Sequence, residues 1–407
     1  MPRAGWVKPE SSRRLSDVVS VGVVTRVFPA DVVDEVIAGC GRTEQRHRSL
    51  PARTMAYFAI GLALHADGSY EDVLGLMTDG LAWADADDGP LRLPSKSGIS
   101  QARERLGSAP VEALFKRVAA PLATPETAGC WLAGRRMVAI DGMTLDVADS
   151  EVNAAEFGRP GVNKGEQSAF PQARVVAVAE CGTRAMFDAV VGAYTTGENT
   201  MAVELVERLK PGMVLLADRG FCGYPLWDKA QATGADLLWR AKSNMRPRHV
   251  ETLDDGTWIG ELRPGGNAGR HAEPHRVRVI DYSIDDGRTN DNTYRLFTTI
   301  LDPDDASAID LAGAYAQRWE IETAFDELKT HLRGARVVLR SKTPELVRQE
   351  FYGLLMAHFA IRGLLHEAAL EADEDPDRLS YLHAVRVVRR KMAQAAAIPP
   401  SGQTQVS

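Results

Sequence analysis

Asp141 closes the apolar run "MVAI" and Asp218 closes "MVLLA". A strand buried on both faces does not readily carry a carboxylate, because a buried charge without a partner is expensive. At the carboxyl end of a strand, facing a crevice, the same group is solvated and usable. A third acid, Glu322, lies in "YAQRWEIETAFDELKTHL" (315–332), which reads as one amphipathic helix with Ile321, Phe325, Leu328 and Leu332 on its buried face. Tyr315, Arg318, Glu322 and Lys329 form a second stripe at the edge of that face. Glu320 and Glu327 fall well away from it and are expected in solvent. If the two strands are neighbours, all three acids open onto one cleft. Converging carboxylates without His or Cys are hard oxygen ligands that select Mg²⁺ or Mn²⁺. Two such ions activate water or a 3′-hydroxyl and stabilise the leaving oxygen of a phosphodiester. Arg318 and Lys329 would then meet phosphate charge. Taken singly, each acid has a plainer role, as Asx-turns before Gly142 and Gly220 and as an exposed Arg318–Glu322 pair at i,i+4.

The elements around these residues are consistent with that use. Residues 1–125 read as a helical region, from "LPARTMAYFAIGLALHA" and "YEDVLGLMTDGLAW" through the loop "ADADDGP" to a helix near Ser97 or Ser100 and another near Pro110. The pair near residue 100 is either a helix-turn-helix presenting Lys96, Gln101, Arg103 and Arg105 to DNA or an ordinary helical hairpin. Over 126–242 the order is three strands, helix, strand, helix, strand, which predicts a mixed α/β sheet with flanking helices. Residues 243–305 are polar and β-rich, with strands at "HRVRVIDYSI" and "NTYRLFTTIL", and read as an insertion. Helices return over 306–395, and 396–407 is expected to be disordered.

Composition narrows the classes. The chain has 407 residues, 44% hydrophobic and 25% charged, enough for a sizeable core. Four scattered cysteines suit a reducing cytoplasm, and His271 and His275 lack the further ligands of a zinc site. No apolar run reaches membrane-span length, and the start lacks the apolar core of a signal peptide. The net charge of -7 does not demand nucleic acid, but "RAKSNMRPRH" (240–249) offers Arg240, Lys242, Arg246 and Arg248 without an acid, and "RVVRRK" (386–391) is also basic. "EADEDPD" (371–377) reads as a solvated turn.

The pattern Y-x2-R-x3-E-x6-K, filled by Tyr315, Arg318, Glu322 and Lys329, resembles the signature of the insertion-sequence-four family of DDE transposases. "AIDGMTLDVADSEVNAAEFG" resembles that family's first-Asp region, "LLADRGF" its second, and "LPARTMAYFAIGLAL" with "ARERLGSAPVEALF" its amino-terminal domain. The resemblance implies a ribonuclease-H-like core interrupted by a β insertion. It implies Asp141, Asp218 and Glu322 as ligands of two Mg²⁺ or Mn²⁺ ions, and Tyr315, Arg318 and Lys329 on DNA end phosphates. Among the helix's acids it selects Glu322, with Asp326 the geometric rival.

The expected activity is transposition: binding of terminal inverted repeats, phosphodiester hydrolysis and strand transfer on double-stranded DNA, by a homodimer on DNA in the cytoplasm at the nucleoid. Tyr294 or Trp258 of the insertion would stack on a displaced base. Relatives commonly continue into a further basic segment where this sequence stops, so the expectation is binding of single ends with poor transposition. A silent DNA-binding repressor and a metal-dependent nuclease of defence or repair are the alternatives.

Overall fold

A computed structural model describes residues 24–46, 48–79, 94–161, 168–265, 272–283, 293–334 and 338–391. The expected loop at 84–90, His271 and the tail at 396–407 lie outside these. Among the described residues six helices come first: α1 (Val24–Val27), α2 (Ala30–Gly39), α3 (Ala52–Leu64), α4 (Tyr70–Asp79), α5 (Lys96–Leu106) and α6 (Ala109–Val118). Ser95, not Ser97 or Ser100, caps α5 by accepting from the Gly98 N–H. Next come β1 (Trp131–Leu132), β2 (Arg135–Asp146), α7 (Glu151–Phe157), β3 (Gln172–Glu180), β4 (Met186–Ala193), α8 (Glu198–Val206), β5 (Met213–Ala217), α9 (Tyr224–Gln231) and β6 (Asp236–Arg240). The insertion supplies β7 (Arg248–Thr252), β8 (Trp258–Leu262), β9 (His275–Ser283) and β10 (Thr293–Thr298). The chain then forms α10 (Ala308–Ala316), α11 (Trp319–Asp326), a π-helical turn (Glu327–Leu332), α12 (Pro344–Ala372) and α13 (Tyr381–Lys391).

The strands make one ten-stranded sheet in the order β4-β3-β2-β5-β6-β10-β9-β8-β7, with β1 beside β2. Antiparallel hairpins join β2, β3 and β4, whereas β5 and β6 run parallel to β2. This is the expected mixed sheet of a ribonuclease-H-like core. Central β2 and β5 carry the buried runs Met137–Ile140 and Met213–Ala217, as strands covered on both faces require. The insertion is no separate module: β10 pairs antiparallel with β6 and extends the sheet. Trp227 of α9, Trp239 of β6 and Phe297 of β10 meet edge to face and fix that junction.

All thirteen residues of α3 are buried; the helix is apolar on most sides, and Arg53 is met by Asp34 at 2.7 Å. It packs against α12, so the helical region and the carboxyl-terminal helices share one hydrophobic core. The contact is close because position 353 is glycine; a Cβ there would lie 2.4 Å from the Ala59 carbonyl oxygen.

The single helix expected over 315–332 is three pieces. Between α10 and α11, Gln317, Arg318, Glu320 and Ile321 donate to carbonyls three residues back, a tighter turn than α. From Glu327 the turn loosens to π, and the Arg333 N–H reaches the Leu328 carbonyl five residues back. The apolar face survives, with Ile321, Phe325, Leu328 and Leu332 all buried. The placing of Glu320 and Glu327 in solvent is overturned. Glu320 pairs with Arg184, and Glu327, 3% exposed, accepts from Arg362 and from His358. Burial pushes the Glu327 carboxyl up, but the His358 and Arg362 contacts outweigh it and leave the group low.

Candidate active site

Register brings the two aspartates together. Ile140 of β2 pairs in parallel with Ala217 of β5, and each is followed directly by an acid. Asp141 does not end its strand as expected; β2 runs on to Asp146, paired with β3 alone. Asp141 therefore stands where β2 outruns β5, and Asp218 starts the loop after β5. The Gly142 N–H donates to Asp141 Oδ1 at 2.8 Å. Arg318, in the turn between α10 and α11, donates through Nη1 to Asp141 Oδ2 at 3.3 Å and through Nη2 to Glu322 Oε1 at 3.0 Å. Its guanidinium lies 4.6 Å from the Trp319 ring centroid, and its buried Nε has no acceptor.

Glu322 thus reaches the same edge as Asp141, but through a guanidinium. Among the described residues no three acidic, histidine or cysteine side chains surround one point. The close convergence of three carboxylates gives way to two carboxylates bridged by Arg318, because facing like charges need positive charge between them. Burial is the main cause that lifts the Asp141 carboxyl to about 6; Gly142 and Arg318 pull it down, and Glu322 and Glu198 push it up. Asp326 is exposed and accepts from Thr330, whereas Glu322 holds the Arg318 guanidinium that also meets Asp141.

Tyr315 is buried on the last turn of α10. Burial pushes its hydroxyl well above the usual range, Arg318 pulling it down and Asp218 pushing it up to smaller extents. Lys329 is displaced by the π turn. Burial and then Arg333 lower its ammonium, and the acids it senses are Asp146 and Asp326, not Asp141.

A cleft of about 940 Å³ adjoins the Asp218 loop, lined among others by Arg219, Arg240, Lys242, Arg246, Trp258 and Arg295. Lys242 Nζ and Asn199 Nδ2 both donate to the Gly220 carbonyl, at 3.1 and 2.8 Å. Arg248 turns instead to Glu261 at 2.7 Å. Tyr294 is half-buried, stacked on Tyr282 with ring centroids 5.3 Å apart and under Arg240 at 4.2 Å. Trp258 lines the cleft but stacks on His249.

In the helical region Lys96 and Gln101 are exposed. Arg103 as a DNA contact is corrected: it is fully buried, with bonds to Gln349, Tyr70, Ser341 and the Leu346 carbonyl. Arg105 donates to the Leu50 carbonyl at 2.8 Å. Arg103 faces into the helical core towards α12, whereas Arg105, its side chain 36% exposed, lies at the rim beside Glu44 and the segment before α3. The four cysteines are free, and His275 bonds Asp228 at 3.0 Å. Asp377 of the acidic turn pairs with Arg184 at 3.0 Å, so that turn is only partly solvated.

Sequence reasoning missed Glu198 and Asn199, which open α8. A helix that feeds a parallel strand runs against it, so its first turn lies at that strand's carboxyl end. That rule places both residues beside Asp218.

Residues 132–360 match the family described as Transposase DDE domain, and residues 18–116 match Insertion element 4 transposase N-terminal. The chain belongs to the DDE transposases of the insertion-sequence-four family, enzymes of DNA cleavage and strand transfer that depend on divalent metal. Its relatives include Transposase InsG for insertion sequence element IS4 of Escherichia coli strain K12, 26% identical over 91% of this chain and 82% of that protein. A solved structure, a piggyBac transposase synaptic complex with hairpin DNA, is similar at TM-score 0.47 and 10% identity over 91% of this chain and 79% of that one. No described helix is long and apolar enough to cross a membrane.

Proposed function

We propose that Asp141, Asp218 and Glu322 hold the divalent metal, two ions of Mg²⁺ or Mn²⁺, in a transposase that binds the terminal inverted repeats of its element. The observation that carries this is the pairing of Ile140 with Ala217, which sets Asp141 and Asp218 side by side at one sheet edge with Arg318 and Glu322 against them. The donors fit a hard cation. All are oxygen, they come from three separate elements, and the Asp218 carboxylate meets no hydrogen-bond donor among the described residues. Bound there, the metal would activate water or a 3′-hydroxyl and stabilise the leaving oxygen.

Arg318 supplies the complementary charge. Its unpaired Nε and its exchangeable carboxylate partners suit it to move onto a DNA phosphate when cations relieve Asp141 and Glu322. Tyr315 backs Arg318 from the buried side, and Lys329 meets phosphate further along β2. The cleft beside Asp218 gives Arg240, Lys242 and Arg246 to the DNA backbone, and Trp258 is the better placed of the two aromatics to stack on a base. Lys96 and Gln101 are the helical region's contacts to the element's ends. The acting species is a homodimer on DNA, working in the cytoplasm at the nucleoid.

The test is Mg²⁺-dependent cleavage of end DNA. Asp141→Asn, Asp218→Asn and Glu322→Gln should each abolish it while end binding stays nearly intact. Wild-type cutting by any one of them removes that residue from the set. Arg318→Ala should slow cleavage alike on every end sequence, and a sequence-selective defect would assign it to base reading instead.

A further inference from the structure

Glu198 has no place in the three-acid set, yet the fold puts it there. It is the first residue of α8 after the Gly197 cap, at the end of the helix that faces the Asp218 loop. Its neighbour Asn199 holds the Gly220 carbonyl at 2.8 Å. Glu198 itself lies on the backbone of β2 just past Asp141. A Cβ on Gly142 would stand 2.6 Å from Glu198 Oε1, 2.7 Å from Cδ and 3.0 Å from Cγ, so the carboxyl occupies the space any other residue at 142 would fill. The first two residues of α8 therefore bracket the crevice, one against the strand of Asp141 and one against the loop of Asp218.

The plainer role is an ion pair with Arg174, whose Nη1 reaches Glu198 Oε1 at 3.1 Å, assisted by the positive end of the helix. That pair also favours the carboxyl's place over β2, since Arg174 stands two residues along β3 from Val176, the partner of Gly142, and so shares its face of the sheet. The Glu198 side chain is 37% exposed, and a pair at the helix rim would be better solvated turned outward. Held there, it joins Asp141, Asp218 and Glu322 as a fourth carboxylate at one edge, with Arg174, Arg318 and, on the Gly220 carbonyl, Lys242 as the cations beside them. A bound cation would relieve the repulsion among these acids.

We propose that Glu198 is a fourth carboxylate of the metal centre, admitted to it by the absence of a side chain at Gly142. This rests on the assignment of Asp141, Asp218 and Glu322 as the metal-holding acids. Gly142 acts as a positioning residue, and Arg174 orients the Glu198 carboxylate.

The experiment is Mn²⁺ binding to the full-length chain without DNA, followed by electron paramagnetic resonance of the free ion, with thermal unfolding of the metal-free proteins as a check on folding. Glu198→Gln should weaken Mn²⁺ binding about tenfold or more and leave the metal-free unfolding temperature in place. Gly142→Ala keeps all four acids but drives the carboxyl off the strand, and it should weaken binding comparably, so the test does not depend on one variant folding. Asp141→Asn separates the layers. If it loses affinity while Glu198→Gln and Gly142→Ala bind as wild type, Glu198 is only the partner of Arg174 and the inference is overturned with the three-acid assignment intact. If Asp141→Asn also binds as wild type, the metal centre lies elsewhere and both fall.

Discussion

Within the short helical stretch from Arg318 to Leu332, charged groups occupy two opposite settings. On the body side, Glu320 takes two bonds from Arg184, and both oxygens of Glu327 are met, one by Arg362 and Arg184, the other by Arg362 and His358. On the crevice side, Glu322 is met by one guanidinium, Asp218 meets no donor among the described residues, and Arg318 keeps a buried Nε without acceptor. The difference teaches how to sort charge by role. Carboxylates whose oxygens are all engaged fix the helix, and those left half-engaged at a crevice are available to a ligand.

Exchanging the roles by mutation tests this division. The largest effect expected is on chemistry alone: Asp218→Asn and Glu322→Gln should cut cleavage by about 10³-fold or more, some 4 kcal/mol of barrier, with urea-unfolding stability held within about 0.5 kcal/mol. Arg362→Ala should do the reverse. It strands Glu327 among buried neighbours and should cost about 3–5 kcal/mol of stability. If the crevice variants destabilised as much as Arg362→Ala, the two settings would be one. Gly353→Ala, which forces α12 from α3, should cost about 1–3 kcal/mol, visible as a lowered urea midpoint.

The two settings should also respond oppositely to pH. Burial lowers the His358 ring below its ordinary 6.5, so the folded state refuses a proton that the unfolded chain takes. That stability is complete above 6.5 and is lost as pH falls below it, and Glu327, held low, adds to the loss at more acid pH. Asp141 runs the other way. Its folded value of about 6 against an ordinary 3.8 favours the folded state at low pH, and this is lost as pH rises through 6. In metal-free protein, Asp141→Asn should therefore recover up to about 3 kcal/mol at pH 7.5 and less at pH 5, by chemical denaturation. His358→Gln should flatten the acid limb by a smaller amount. A common slope for both variants would contradict the contrast.

That Asp141 and Asp218 close neighbouring apolar runs, and that Glu322 shares a stripe with Arg318, was legible because apolar runs ending in an acid, and a stripe of polar residues beside an apolar one, are local patterns. What was not legible depended on distant partners or on a change of helical pitch. Glu327 is solvated by periodicity and buried in fact, since His358 and Arg362 arrive from 31 and 35 residues away. Arg103 looked like a surface arginine for the same reason; its acceptors Gln349 and Ser341 sit on or before α12. Lys329 shares a stripe with Glu322 only while every turn is α. Glu198 was hidden by its ordinary guise as an acid in a helix's first turn, and only the order of strands shows which end of the sheet that turn meets.

The π turn makes the chain unequally tolerant of lost length. It already holds one residue more than an α turn would, so a deletion within Glu327–Leu332 can relax to ordinary pitch. Everything up to Asp326 then keeps its bearings, and the strain falls on the passage to α12. A residue deleted between Arg318 and Glu322 finds no such slack. It would swing the carboxylate about 100° around the axis and part it from the guanidinium. Deletions along this stretch should therefore survive on one side of Asp326 and disable the protein on the other.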